Sequence, residues 1–268
     1  MKSLLVSAAL VACFLPAAGN ANPYDGMAKL DVRPGWRTSN GENIAALEIT
    51  LAEGWKTYWR APGDAGIPPV INWTGSRNVK AVAINWPTPV VFSQNGMRSV
   101  GYKSKLILPL NVIATDSTQK LTLAGSVQIG ICNEVCVPVQ IDFEKELPIA
   151  KTAIDPKIAA ALANRPATQS EADVSAVSCL VSPIETGMTI TASIEVKNTG
   201  SPEFVVFETG DPQIWADEAI TERHGSTLVA RTTLEHSSGK SFALDRSKLR
   251  ITILGQHSAI DIKGCQGG

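Results

Sequence analysis

Histidine is almost absent from this chain. There are three, His224, His236 and His257, all in the second half. None lies near the paired cysteines, so the pair lacks the companions that a four-ligand zinc site usually needs. Charge is also sparse and balanced: 18% of residues are charged and the formal net charge is −1, which leaves no basic face for nucleic acid. After the first residues no segment approaches the ~20 apolar residues of a membrane helix. G-x-S-x-G, Walker, dinucleotide-binding and H-E-x-x-H motifs are all missing, so the common hydrolase, nucleotide and metalloprotease chemistries have no carrier. Asp64 and Glu134 are isolated carboxylates, and Met27, Met97 and Met188 are too scattered for a copper-binding run.

What remains is an ordinary globular composition with an export address. Lys2 gives a short basic start, Leu4 to Leu15 an apolar core, and Ala17 to Ala21 a small-residue stretch suited to cleavage after Ala21. Leu10-Val11-Ala12-Cys13 offers a rival lipoprotein reading with Cys13 lipidated, although the apolar run continues through Phe14 and Leu15. Residues 1–21 are thus read as a signal peptide, and the mature protein as exported to a compartment where disulfides persist. Removing Cys13 leaves Cys132, Cys136, Cys179 and Cys265, which allow three pairings.

Cys132 and Cys136 sit in Gly130-Ile131-Cys132-Asn133-Glu134-Val135-Cys136-Val137-Pro138, at the end of an alternating apolar run. Along one extended strand a four-residue step covers roughly 13 Å, whereas a disulfide needs Cα atoms roughly 4.4–6.8 Å apart. The chain must therefore reverse at Asn133-Glu134, in a hairpin or a single helical turn. The ring is tiny, so closing it contributes little by chain entropy. A structural staple, a redox pair and, less suitably, a metal site all remain open on spacing alone.

Around the pair the pattern is β throughout. Met27 to Val32, Ile44 to Leu51, Val70 to Trp73, Val79 to Trp86, Lys105 to Ala114, Leu121 to Ile129 and Val137 to Phe143 read as strands, and Val90 to Val100 as a loop. Trp55, Tyr58 and Trp59 lead into a Gly- and Pro-rich turn. They serve either as core aromatics or as a surface patch near the cysteines. Asp155-Pro156 starts a helix to about Ala163, with Asp as cap and Pro in the first turn. Arg165 to Glu171 is polar and reads as a linker. Strands at Val177–Val181, Met188–Val196, Phe204–Glu208, Thr227–Leu234, Leu249–Leu254 and Ala259–Ile262 then make a second, smaller unit. The expectation is an all-β protein of two immunoglobulin-like β-sandwich domains, residues 22–150 and 172–268, joined by a helix and linker over 151–171. Cys179 and Cys265 bracket the second unit, and bonding them would close a ring of about 87 residues, a staple by position.

Gly54-Trp55-Lys56-Thr57-Tyr58-Trp59-Arg60-x-Pro62-Gly63-Asp64, Trp86-Pro87, Gly101-Tyr102 before a strand with Pro109, and the cysteine pair followed by Pro138 resemble the N-terminal periplasmic domain of the DsbD family of thiol:disulfide interchange proteins. The C-x3-C-x-P form is similar to the copper-tolerance membrane reductase branch, and the matching features span about residues 30 to 148. The resemblance implies an immunoglobulin-like fold without a cofactor. Its pair Cys132 and Cys136 takes electrons from a thioredoxin-like reductase domain and passes them to exported client proteins, with Cys136 favoured as the attacking thiol. It also implies a cap loop over the sulfurs. The segment from Phe92 to Gly96, including Asn95, corresponds to that loop, with Phe92 as the shield. The shorter cysteine spacing leaves the family's acidic residues unplaced. The membrane and C-terminal thioredoxin-like domains of full-length members are missing from this sequence, so the electron donor is expected to be a separate protein.

Overall fold

A computed structural model of the chain describes residues 24, 26–64, 66–94, 96–150 and 153–267. The expected signal peptide and Cys13 lie outside the described residues, as does Asn95. Alternation of apolar and polar residues produces strands wherever it was expected, and two sandwich-like bodies result.

The first body contains β1 (Ala28–Arg37), β2 (Asn43–Leu51), β3 (Lys56–Gly63), β4 (Val70–Asn72), β5 (Val79–Ile84), β6 (Val90–Gln94), β7 (Met97–Lys103), β8 (Lys105–Ala114), β9 (Leu121–Cys132) and β10 (Cys136–Leu147). One sheet has the order β1-β2-β8-β5. The other runs β10-β9-β3-β7-β6, with β4 also on β9. Side chains from alternate positions meet between them: Leu47, Ile49, Leu108, Leu110, Leu123, Ile129, Ile131 and Trp59 are all essentially inaccessible to water. Val90 to Val100, expected as a loop, is instead the hairpin β6-β7. Its strand character is carried by Val90, Val91, Phe92 and Val100, and Gly96, with φ +81°, occupies the left-handed turn between them.

Helix α1 (Pro156–Ala163) forms where Asp155 and Pro156 predict it. The Asp155 carboxylate accepts from the Lys157 and Ile158 N–H groups at 2.9 and 3.3 Å. It also holds Arg33, whose Nε lies 2.9 Å away. Ile158 is buried against Ile44 and Ala46, so the helix belongs physically to the first body. The polar stretch after it is fixed in place: Arg165 makes a two-pronged contact with Glu171 at 2.8 and 2.6 Å, and β11 (Ala167–Thr168) adds a short parallel strand to the second body.

That second body comprises β12 (Ala176–Ile184), β13 (Gly187–Glu195), β14 (Phe204–Glu208), β15 (Ile214–Ala216), β16 (Ile220–His224), β17 (Thr227–His236), β18 (Arg250–Leu254), β19 (Ala259–Lys263) and β20 (Gln266–Gly267). Its sheets are β11-β19-β18-β14 and β15-β17-β13-β12-β20, with β16 on β17. Cys179 on β12 is fully buried and bonded to Cys265, Cα atoms 5.9 Å apart. The two bodies touch: Leu254 and Ala259 are buried with the first body's core, and Phe204 and Val206 pack against it.

Candidate redox site

The reversal at the cysteine pair is a hairpin. Cys132 ends β9, Cys136 begins β10, and the two stand directly opposite in the ladder. Asn133, Glu134 and Val135 form the turn, closed by the Asn133 N–H donating to the Val135 carbonyl at 3.3 Å. Three turn residues suffice without a left-handed backbone at Asn133. The Cα atoms are 4.2 Å apart and the sulfurs are bonded. This is close to the spacing of a non-hydrogen-bonded antiparallel pair, roughly 4.5 Å.

The two sulfurs are not equivalent. Cys132 is inaccessible to solvent, whereas Cys136 is exposed. A third side chain joins them: the Tyr58 hydroxyl lies 2.8 Å from Cys132 Sγ and 3.3 Å from Cys136 Sγ. Strand alternation explains how it gets there. On β3, Trp59 points into the core, so its neighbour Tyr58 must point to the opposite face of the sheet, the face that carries the disulfide. Tyr58 is nevertheless fully buried. Phe92 covers it, the ring centroids 6.4 Å apart in a stacked arrangement, and Tyr58, Phe92 and Cys132 form a small cluster separate from the main core. The slot for the tyrosine ring depends on missing side chains. A Cβ at Gly130 would sit 3.1 Å from two ring carbons and 2.6 Å from Ile67 Cβ, and one at Gly66 would sit 2.8 Å from the ring. Burial raises the Tyr58 hydroxyl above its ordinary pKa, which keeps it a protonated donor at neutral pH.

The expected site residues thus fall as follows. Cys132, Cys136 and Phe92 come together. Gly96 lies at the exposed turn of the β6-β7 hairpin with open space around it, and Lys56 Nζ sits 5.5 Å from the Phe92 ring centroid. Tyr58 was left undistinguished among the three neighbouring aromatics. The signal for it was available in the alternation itself, which separates Tyr58 from Trp59. Of the other two, Trp59 is core and Trp55 packs edge-on against Tyr24 at 5.9 Å. Beside Cys136, the turn residue Val135 is an exposed apolar side chain. Among the described residues no group of three or more His, Cys, Asp or Glu is placed to hold a metal ion, and no helix is long and apolar enough to cross a membrane.

Residues 29–148 match the family described as thiol:disulfide interchange protein DsbD, N-terminal. This segment is a DsbD N-terminal domain. The match runs from β1 to the end of β10 and so includes both cysteines, Tyr58 and Phe92. Over its length the chain is also similar to the crystal structure of the N-terminal periplasmic domain of ScsB from Proteus mirabilis, at 22% identity, with 92% of this chain and 97% of that one covered and a TM-score of 0.69. That likeness extends past the DsbD N-terminal domain into the second body and shows that the two-body fold is shared. The curated proteins give no match.

Proposed function

We propose that the protein is a periplasmic thiol–disulfide interchange component that uses Cys132 and Cys136 to carry two electrons from a thioredoxin-like reductase domain to exported proteins. The observation that carries this is the asymmetry of the pair: one sulfur open to a partner, the other buried under a hydrogen-bond donor. A donor thiolate can reach only Cys136 Sγ. As the new sulfur–sulfur bond forms, the Cys132–Cys136 bond breaks and its electron pair leaves on Cys132 Sγ, where the Tyr58 hydroxyl stabilises the thiolate. The donor's second thiolate then attacks the mixed disulfide, releasing Cys136 as thiolate and the donor as disulfide. Passing electrons onward reverses the roles: the Cys136 thiolate attacks the client disulfide, and Cys132 resolves the adduct. A leaving group held by a donor leaves faster because its conjugate acid is stronger. Phe92 shields the sulfurs from small thiols without closing Cys136 to a docked protein. Membership of the DsbD N-terminal family supports the reading, and the ScsB likeness supports a periplasmic setting.

The test is a trap. Cys132→Ser protein, mixed with a thioredoxin-like domain lacking its resolving cysteine, should accumulate a mixed disulfide through Cys136, while Cys136→Ser should give almost none. A redox titration of the wild type should show Cys132–Cys136 reducing well above Cys179–Cys265. No adduct from either variant, together with equal potentials, would leave a binding module with two structural disulfides.

A further inference from the structure

Between the two bodies opens a cavity of about 410 Å³, within the ~300–1,000 Å³ range of ligand sites. Its walls are apolar: Pro62 and Pro68 from the first body, Phe204, Phe207 and Trp215 from the second. Its charges are acidic in excess. The two arginines are already taken, Arg60 by Glu208 at 3.0 Å and Arg98 by Glu218, with Arg98 also over the Phe204 ring at 4.4 Å. Asp64, Asp211 and Asp217 remain, exposed at the rim and without an ion-pair partner among the described residues. Asp64 comes from the first body and Asp217 from the second, and both line the same cavity. Asp217 is raised from its ordinary value by burial, by Glu235 and by Asp64.

The cavity also adjoins the redox centre. A bulge in β3 sets Tyr58 opposite Gly101 but Gly63 opposite Ser99, so four residues, Trp59 to Pro62, face a single residue of β7. The bulge turns Arg60, Ala61 and Pro62 toward the cavity. A Cβ at Gly66 would meet both Pro62, which lines the cavity, and the Tyr58 ring, so Pro62 and Gly66 stand between the cavity and the tyrosine slot.

We infer that this cavity is a docking pocket for a lysine or arginine side chain of the partner protein engaged at Cys136, its aliphatic stem lying against Pro62, Phe204 and Trp215 and its charged end between Asp64 and Asp217. Long basic side chains bury their stems on apolar surface while the head stays at a wet rim. The proposal rests on the reading of Cys132–Cys136 as the exchange site and adds a specificity element to it.

Calorimetry with cysteine-free, end-blocked pentapeptides tests it on the full chain. Ala-Leu-Lys-Leu-Ala should bind, more weakly at high salt, and Ala-Leu-Glu-Leu-Ala should bind at least about tenfold more weakly. Asp64→Asn with Asp217→Asn should weaken the lysine peptide by about tenfold, and Trp215→Ala should weaken it independently, each variant being checked for an unchanged melt. Cys132→Ala with Cys136→Ala should leave binding as it was. Equal binding of the two peptides, indifference to the aspartate changes, or no binding at all overturns the pocket. Binding of free butylamine as tight as the lysine peptide makes it a small-amine site and overturns docking. Because the peptides carry no thiol, a protein that binds them yet forms no mixed disulfide refutes the redox reading and not the pocket.

Discussion

The two disulfides of this protein both lie among β-strands and differ in the length of chain they close and in their access to solvent. Cys179–Cys265 joins the first long strand of the second body to its C-terminal end, 86 residues away, with Cys179 fully buried. Cys132–Cys136 joins two facing residues of one hairpin, four positions apart, with Cys136 in solvent and a hydroxyl against both sulfurs. In the chain-entropy description a ring of about 87 residues stabilises by roughly 4–5 kcal/mol and a ring of about five by roughly 2 kcal/mol. The long ring therefore gives the fold most of the benefit, and the short one, with Cys136 open to solvent, contributes less. On this description the length of chain closed sets how much a disulfide stabilises, whereas access to the sulfurs is set by the side chains around them.

The comparison is broken most sharply by deleting each bond in turn. Cys179→Ala with Cys265→Ala should lower stability in urea melts by about 4 kcal/mol, and Cys132→Ala with Cys136→Ala by about half as much or less. The reverse order would make the hairpin bond the staple. Next in size is the second body's buried ion pair. Glu203 is nearly inaccessible and bonds Arg223 Nε at 2.9 Å, the Thr199 N–H at 2.9 Å and the Thr199 hydroxyl at 2.7 Å. Burial pushes its carboxyl up, and Arg223 with Thr199 outweighs that, leaving it below its ordinary value. A depressed carboxyl stabilises the fold above its unfolded value of about 4.3, and that contribution is lost as pH falls through the folded value. Glu203→Gln should cost about 3 kcal/mol at neutral pH and flatten the acid limb of the stability curve, read by melts from neutral pH downward. At the hairpin, Tyr58→Phe keeps the ring and removes the donor. A hydrogen bond to a charged group contributes about 1.5–3 kcal/mol, so reduction by a protein donor should slow roughly ten- to a hundredfold. The Cys132 thiol, followed by alkylation against pH, should titrate higher than in the wild type. An unchanged alkylation profile would reduce Tyr58 to packing. The smallest effect is expected at Phe92→Ala, which should speed reduction by glutathione a few-fold while changing the rate with a docked protein donor less.

Much of this was legible in the residues. Period-two alternation exposed the core strands of both bodies, and Asp155-Pro156 announced the helix from its first residue. A reversal at Asn133-Glu134 followed from distance alone, since two cysteines four apart cannot bond along an extended strand; that it is a hairpin and not a helical turn is seen only in the pairing of Cys132 with Cys136. The β6-β7 hairpin was hidden because its strands are short and of mixed polarity, a pattern that reads as loop. The short strands Ile214–Ala216 and Ile220–His224 were missed for a related reason: they owe their form to pairing with Thr227–His236, not to any pattern of their own. Tyr58 could be picked from its neighbours only by asking which face each occupied. The interdomain cavity had no signal in the sequence, because its rim is assembled from segments about 150 residues apart that meet only when both bodies are folded.

The outer strand of the cysteine hairpin has one further consequence. Sheet order leaves β10 at an edge, where its outward backbone groups could in principle recruit another chain by strand addition. Yet β10 carries Pro138 near its start and an exposed run of Asp142, Glu144, Lys145 and Glu146 toward its end. Proline withholds a backbone donor, and clustered charges resist desolvation, so a second copy cannot zip along this edge into an aggregate. The strand that brings Cys136 to the tip of its hairpin thus ends the sheet without inviting another chain onto it.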